Sequence, residues 1–195
     1  MKKSSSKRGS VRVISGKWRG RRLQVAHHEG LRPTTDQVRE TLFNWLMHSV
    51  QGARCLDLFA GSGALGLECL SRGAAEVMFV DCSVAAVKVL RQNLAELQVS
   101  EGAEVVCADA LNLLSRPPSK PYDLVFLDPP YVTGLLEPSL LALHEQGWLS
   151  PVAQIYLEFD KRSDNPKLPE EFAVIREKAN GQCRYGLYQV IGDPC

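Results

Sequence analysis

Along the middle of the chain, short apolar runs alternate with stretches in which apolar residues recur every three or four positions. The apolar runs fall at 54–59, 76–81, 104–108, 122–127 and 154–159, and their near-unbroken hydrophobicity predicts strands buried on both faces. Between them, 64–72, 84–98, 110–114 and 135–146 carry the helical period; Val87, Leu90, Leu94 and Leu97 share one face of the second. Strand and helix in alternation imply right-handed βαβ units and a parallel sheet covered on both faces. Residues 172–178 and 183–191 flank an Asn180-Gly181 hairpin signal. The prediction is an α/β, Rossmann-like fold: a mostly parallel seven-stranded sheet ending in an antiparallel hairpin.

Upstream, "RPTTDQVRETLFNWLMHSV" reads as a helix. Thr34 and Gln37 have capping-box spacing. Val38, Leu42, Trp45 and Leu46 form its apolar face, Gln37, Arg39 and Glu40 point elsewhere, and Gly52 ends the segment. Before it, "VRVISGKWRGRRLQV" interleaves charge with apolar residues, which predicts two short strands with Gly16 and Gly20 near the turn. The expected organisation is a flexible basic tail at 1–10, a basic β-hairpin arm at 11–32 and one catalytic domain at 33–195.

Charge sharpens this division. The first 32 residues hold ten Lys/Arg and one acid, a net of +9, whereas the rest holds 13 bases and 21 acids, a net of −8. A basic arm on a mildly acidic body suggests a polyanionic partner. Lys17, Arg19, Arg21 and Arg22 are its candidate phosphate contacts. Six cysteines without CxxC or Cys/His spacing read as free thiols, mostly buried, in a reducing cytoplasm, with no metal site. No apolar run approaches the roughly 20 residues that span a bilayer.

The loop "CLDLFAGSGALGLE" places Gly61, Gly63 and Gly66 between a strand and a helix, the GxGxxG pattern of nucleoside cofactors. Asp81 ends the next strand, where an acid can hold a ribose diol. Asp57, just before the loop, would repel a pyrophosphate at the helix N-terminus but would suit a cofactor with an ammonium and a sulfonium. Asp109, after the third strand, offers an acceptor to an adenine amine. Each acid alone is as readily a cap or turn residue; three at the carboxyl edge beside a glycine loop point to S-adenosylmethionine.

The fourth strand ends in "LDPPY", residues 127–131. Pro129 and Pro130 stiffen the backbone, and Pro129 keeps Asp128 out of helical geometry. The Asp128 carboxylate and the Pro129 carbonyl then converge as acceptors, with the Tyr131 ring at the rim. This arrangement suits a planar group bearing an NH2, whose delocalised lone pair needs both N–H bonds accepted before it can attack a methyl carbon.

These residues resemble the class I amino-group methyltransferases, with their (Asp/Asn)-Pro-Pro-(Tyr/Phe/Trp) motif. With "RVISGKWRGRRL", "LRPTTDQVRETLFNWL" and "DLFAGSGALGLE", the chain is similar to the RsmD family, which methylates guanine N2 in bacterial small-subunit ribosomal RNA. The resemblance implies S-adenosyl-L-methionine as cofactor, contacted at Asp57, Phe59, Gly61, Gly63, Asp81, Cys82, Asp109, Ala110 and Asp128. It implies catalysis by Asp128, Pro129, Pro130 and Tyr131, and adds Arg32 and Arg39 to the RNA contacts. The expected partner is ribosomal RNA or the small subunit, met by a cytoplasmic monomer. Methylation of adenine N6 or a protein glutamine, a nicotinamide dehydrogenase and a non-catalytic RNA-binding module are the alternatives.

Overall fold

The computed structural model describes residues 9–25, 35–130, 133–163 and 165–191. Its main sheet contains β3 (Arg54–Asp57), β4 (Glu76–Asp81), β5 (Ala103–Cys107), β6 (Tyr122–Leu127), β7 (Leu149–Asp160), β8 (Phe172–Asn180) and β9 (Cys183–Val190). The strand order is β5-β4-β3-β6-β7-β9-β8. Strands β3 to β7 run parallel, and β9 runs antiparallel to β7 and β8, as predicted. The helices are α1 (Asp36–Trp45), α2 (Ala64–Ser71), α3 (Val84–Glu96), α4 (Ala110–Leu114) and α5 (Leu136–Glu145). Strand β7 begins earlier than its apolar run suggests, because Leu149 pairs with Tyr122 ahead of a register irregularity.

Alternation along the strands divides the interior into two cores. Cys55, Phe79, Phe126 and Tyr156 face α1, α2 and α3. Leu56, Val80, Val125, Leu127 and Leu157 face α4 and α5. Strand order reverses between β4–β3 and β6–β7, so the loops after β3 and β6 meet at the carboxyl edge, where open α/β sheets bind ligands.

The N-terminal hairpin forms from β1 (Ser10–Arg12) and β2 (Arg22–Gln24), with a 3-10 turn at Gly16–Trp18 between them. It does not stand off from the body. Val11, Val13 and Leu23 are buried in the same core as Val38 and Leu42. The buried Glu68 carboxylate accepts the Ile14 and Ser15 N–H groups at 2.7 and 2.9 Å. Ser71 Oγ accepts from Trp18 N at 3.0 Å and donates to Ser15 O at 2.5 Å. The buried Asn93 amide bonds both the N–H and the carbonyl of Gln24, as a neighbouring strand would. Gly16 has φ +80°, and a Cβ there would lie 1.9 Å from Ser71 O, so only glycine lets the turn sit this close.

Two local expectations are corrected. The cap of α1 is Thr35, whose hydroxyl accepts from Val38 N at 3.3 Å; Thr34 lies outside the described residues. Arg39 does not turn away from the core: it is 1% exposed, and its guanidinium donates to Arg12 O at 2.8 Å and to Asp36 Oδ1 at 2.6 Å. A guanidinium tolerates burial when acceptors surround it, and the docked arm supplies one of them. The cysteines also differ from expectation. Cys55 and Cys69 are buried free thiols, but Cys82 and Cys107 are exposed, one just past β4 and one on the edge strand β5. Cys195 lies outside the described residues.

Candidate active site

The three acids singled out in the sequence line the carboxyl ends of three adjacent strands. Asp57 ends β3, Asp81 ends β4 and Asp109 follows β5. Each also holds backbone. Asp81 accepts from Gly61 N and Ser83 N, both at 2.7 Å. Asp109 caps α4 through Asn112 N at 2.9 Å. Asp57 accepts from Gly66 N at 3.0 Å. A carboxylate has about four acceptor positions. The half-buried Asp81 and exposed Asp109 therefore keep capacity for hydroxyl or amine donors.

The glycines divide the labour. Gly63 and Gly66 serve packing: a Cβ on them would meet Leu90 Cδ1 at 2.4 Å and the Phe79 ring at 2.2 Å. Gly61, at φ +49°, opens outward, where a Cβ would meet only Phe59 O at 3.9 Å. Bare backbone thus faces free space beside Asp81. A helix N-terminus ordinarily attracts anions. Here the Asp57 carboxyl already takes an N–H in the first turn of α2. Burial pushes the Asp57 carboxyl up to about 7; the Gly66 N–H opposes the rise and the Asp81 charge adds to it. The row of acids offers acceptors to hydroxyl, amine or ammonium donors. Phe59 is half-buried, Cys82 exposed and Ala110 buried along the same rim.

Strand β6 lies beside β3, with Phe126 opposite Asp57 and Leu58 N donating to Phe126 O at 3.2 Å. The Asp-Pro-Pro run therefore leaves the sheet next to the glycine loop. Asp128 is half-buried, Pro129 buried and Pro130 exposed. The Pro130 carbonyl accepts the N–H and hydroxyl of Thr133 at 3.0 and 2.7 Å, which closes the turn. Tyr131 and Arg32 lie outside the described residues. Beyond Pro129 opens a cleft of about 190 Å³, lined by Pro130, Leu135, Glu158, Phe159 and Asp160. Glu158 is not among the residues that the sequence motifs mark. Its signal was present: "IYLEFD" is an apolar strand closed by acids, as "FLD" is.

Lys17, Arg19, Arg21 and Arg22 are exposed on the docked arm. The Lys17 ammonium sits 5.4 Å from the Trp18 ring, and Arg21 reaches Glu96 O at 3.3 Å. Arg39 faces inward and is spent within the protein. Among the described residues no cluster of metal-ligand type occurs, and no helix is long and apolar enough to cross a membrane.

Residues 11–189 match the family model described as conserved hypothetical protein 95. The chain belongs to that family. It is 46% identical over 188 residues to ribosomal RNA small subunit methyltransferase D of Escherichia coli (strain K12), covering 96% of this chain and 94% of that protein. To the protein of the same name from Haemophilus influenzae it is 47% identical over 185 residues, covering 93% and 95%. The resemblance to the RsmD family therefore holds over nearly the full length. A solved Escherichia coli structure, described as a candidate methyltransferase, superposes with a TM-score of 0.86 at 46% identity, covering 95% of this chain and all of that one. The architecture is shared with a Thermus thermophilus 16S rRNA N2 methyltransferase solved with AdoMet and guanosine, at TM-score 0.65 and 21% identity, over 94% of this chain and 50% of that one.

Proposed function

We propose that this protein methylates the exocyclic N2 amine of a guanine in small-subunit ribosomal RNA, with S-adenosylmethionine as donor. The observation that carries the reading is the position of Asp128-Pro129 at the end of β6, against the glycine loop and its row of acids. The names of the full-length relatives support ribosomal RNA as substrate.

Asp81 would hold the ribose hydroxyls, Asp109 the adenine amine and Asp57 the positively charged end of the cofactor, with Gly61 letting the backbone approach. When bound, the donor supplies a methyl on a positively charged sulfur. The chain's own work is on the acceptor. The Asp128 carboxylate and Pro129 carbonyl take the two N–H bonds of the amine, which localises its lone pair and aims it. Such alignment contributes up to roughly 7–11 kcal/mol. In the transfer the methyl carbon would exchange its bond to sulfur, which keeps that electron pair and becomes neutral, for a bond to the amine nitrogen, and the nitrogen would shed a proton toward Asp128 or water. Tyr131 stacks on the extruded base, which offsets part of the few kcal/mol of unstacking. The exposed cations of the arm hold phosphates.

The test is transfer of a tritiated methyl to small subunits, free small-subunit RNA, DNA and protein from cells lacking this protein, followed by mass mapping. Label on one guanine N2 is expected. Label on adenine N6 or glutamine overturns the substrate assignment. Asp128→Ala should abolish transfer while cofactor binding persists, and full activity in that variant would remove Asp128 from the mechanism.

A further inference from the structure

The cleft beyond Pro129, next to Asp128 in the chain, is bordered by three acids, Glu137, Glu158 and Asp160. Strands β6 and β7 are parallel neighbours with Leu127 opposite Leu157, so Asp128, just past β6, falls beside Glu158, two residues before the end of β7. Neighbouring strands lie roughly 5 Å apart. Alternation puts both acids on the face that carries Phe126 and Tyr156. Glu158 is only 6% exposed, yet it lines the cleft.

Its orientation is set from below. The hydroxyl of Tyr156, a fully buried residue, donates to Glu158 Oε2 at 2.7 Å. Burial, then the charges of Glu158 and Asp128, push the Tyr156 hydroxyl well above its ordinary pKa, so it stays a donor at neutral pH. The next acid along, Asp160, is engaged instead by Arg162, whose guanidinium and N–H reach it at 3.0 and 2.9 Å.

Building on the guanine-N2 reading, we infer that Glu158 reads the target base by accepting its N1–H, while Asp128 and Pro129 hold the neighbouring amine. Guanine is the base whose edge puts a ring N–H beside an exocyclic amine, an uninterrupted row of donors. Adenine and cytosine put a ring nitrogen lone pair beside theirs. Against a carboxylate that lone pair is repelled, and the buried acid loses a partner. One acid binds an amine; two adjacent acids select guanine. A site built to bond a given polar group can reject an analogue lacking it by 10⁴–10⁵. Pro129 and Glu158 both border the cleft of about 190 Å³.

The experiment pairs Glu158→Gln with two substrates. One is small-subunit RNA carrying the mapped guanine. The other is the same RNA ligated with 2,6-diaminopurine at that position, which keeps the 2-amine but turns N1 into an acceptor. Wild type should favour guanine on the order of 10²-fold or more in kcat/KM. In Glu158→Gln, S-adenosylmethionine binding by calorimetry should stay within about twofold, transfer to guanine should fall about 10²-fold, and the preference should collapse because the amide NH2 can donate to N1 of the analogue. Equal losses on both substrates, or none, would reduce Glu158 to a partner of Tyr156 and overturn the inference. Should the variant fold poorly, the wild type alone decides: less than tenfold preference for guanine also overturns it. Absence of any transfer to guanine by wild type is a different failure, since it removes the guanine-N2 reading itself.

Discussion

Replacing Asp57 by asparagine should flatten the fall of stability with pH. Asp57 is fully enclosed and its carboxyl is pushed from an ordinary 3.8 up to about 7, first by burial and then by the Asp81 charge, against the Gly66 N–H. The folded protein therefore keeps a proton that the unfolded chain releases. Stability carried by that proton is whole below pH 4 and is lost as pH rises to about 7. At about 1.4 kcal/mol per pH unit, the loss is on the order of 4 kcal/mol. For a chain of this size that corresponds to about 8–16 °C in Tm. Asparagine keeps an oxygen for Gly66 N–H but carries no charge.

The assay is urea unfolding of wild type and Asp57→Asn at half-unit steps from pH 4 to 8. The difference between the two curves cancels every other titrating group. It should tilt toward the variant as pH rises, by a few kcal/mol in total. Saturating S-adenosylmethionine should move the midpoint of the tilt to lower pH, since a nearby cation favours the ionised acid. Parallel curves would refute the argument, because Asp57 would then ionise alike in both states.

Three further outcomes follow from the packing. Gly66→Ala gains roughly 1 kcal/mol of helix propensity but drives a methyl to 2.2 Å from the buried Phe79 ring; overpacking costs about 1–3 kcal/mol, so denaturation should show a net loss. Glu68→Ala strips acceptors from Ile14 N, Ser15 N and the Arg72 guanidinium and should cost roughly 3 kcal/mol or more by the same measurement. Replacing Lys17, Arg19 and Arg22 by alanine should weaken RNA binding and lower the slope of log K against log salt by about 0.7–0.9 per lost phosphate contact, read by filter binding; an unchanged slope removes the arm from the interface.

The strands at 76–81 and 122–127 and the helix at 110–114 match the structure residue for residue. Each is a short apolar or periodic run with an Asp or Pro at one border at least, so local chemistry suffices there. The misreadings involve partners distant in sequence. Arg39 looks like a solvent residue on its helix, and only the docked arm, 27 positions away, offers the carbonyl that lets it turn in. Glu68 sits within "LGLECL" and has one local partner, Arg72 a turn further on, but the backbone donors that let it be buried lie 53 and 54 positions upstream. Adjacent threonines at 34 and 35 offer two equivalent caps, and period alone does not choose between them. Glu158 carries no such mark: no proline follows it, and β7 runs on past it to Asp160.

One short helix joins the two halves of the proposed function. Leu65, Gly66, Leu67, Glu68, Cys69 and Ser71 of α2 are all buried, so the helix has neighbours on nearly every side. Gly66 carries the bond to Asp57 and the contact with Phe79, on the cofactor side. Glu68 and Ser71, one turn further on, carry the arm. At 1.5 Å rise per residue, these anchors lie within about 8 Å along the axis. The cations of the arm are therefore held at a set distance from the glycine loop by packed side chains rather than by a linker. That arrangement separates two kinds of loss. Charge removal on the arm should weaken RNA binding and leave S-adenosylmethionine affinity alone. Loosening the arm through Glu68→Ala should lower both, because the helix that loses the arm is the one that positions Gly66 and Asp57. If Glu68→Ala left cofactor affinity untouched in folded protein, the arm and the loop would be independent, and the docking seen here would be a matter of stability alone.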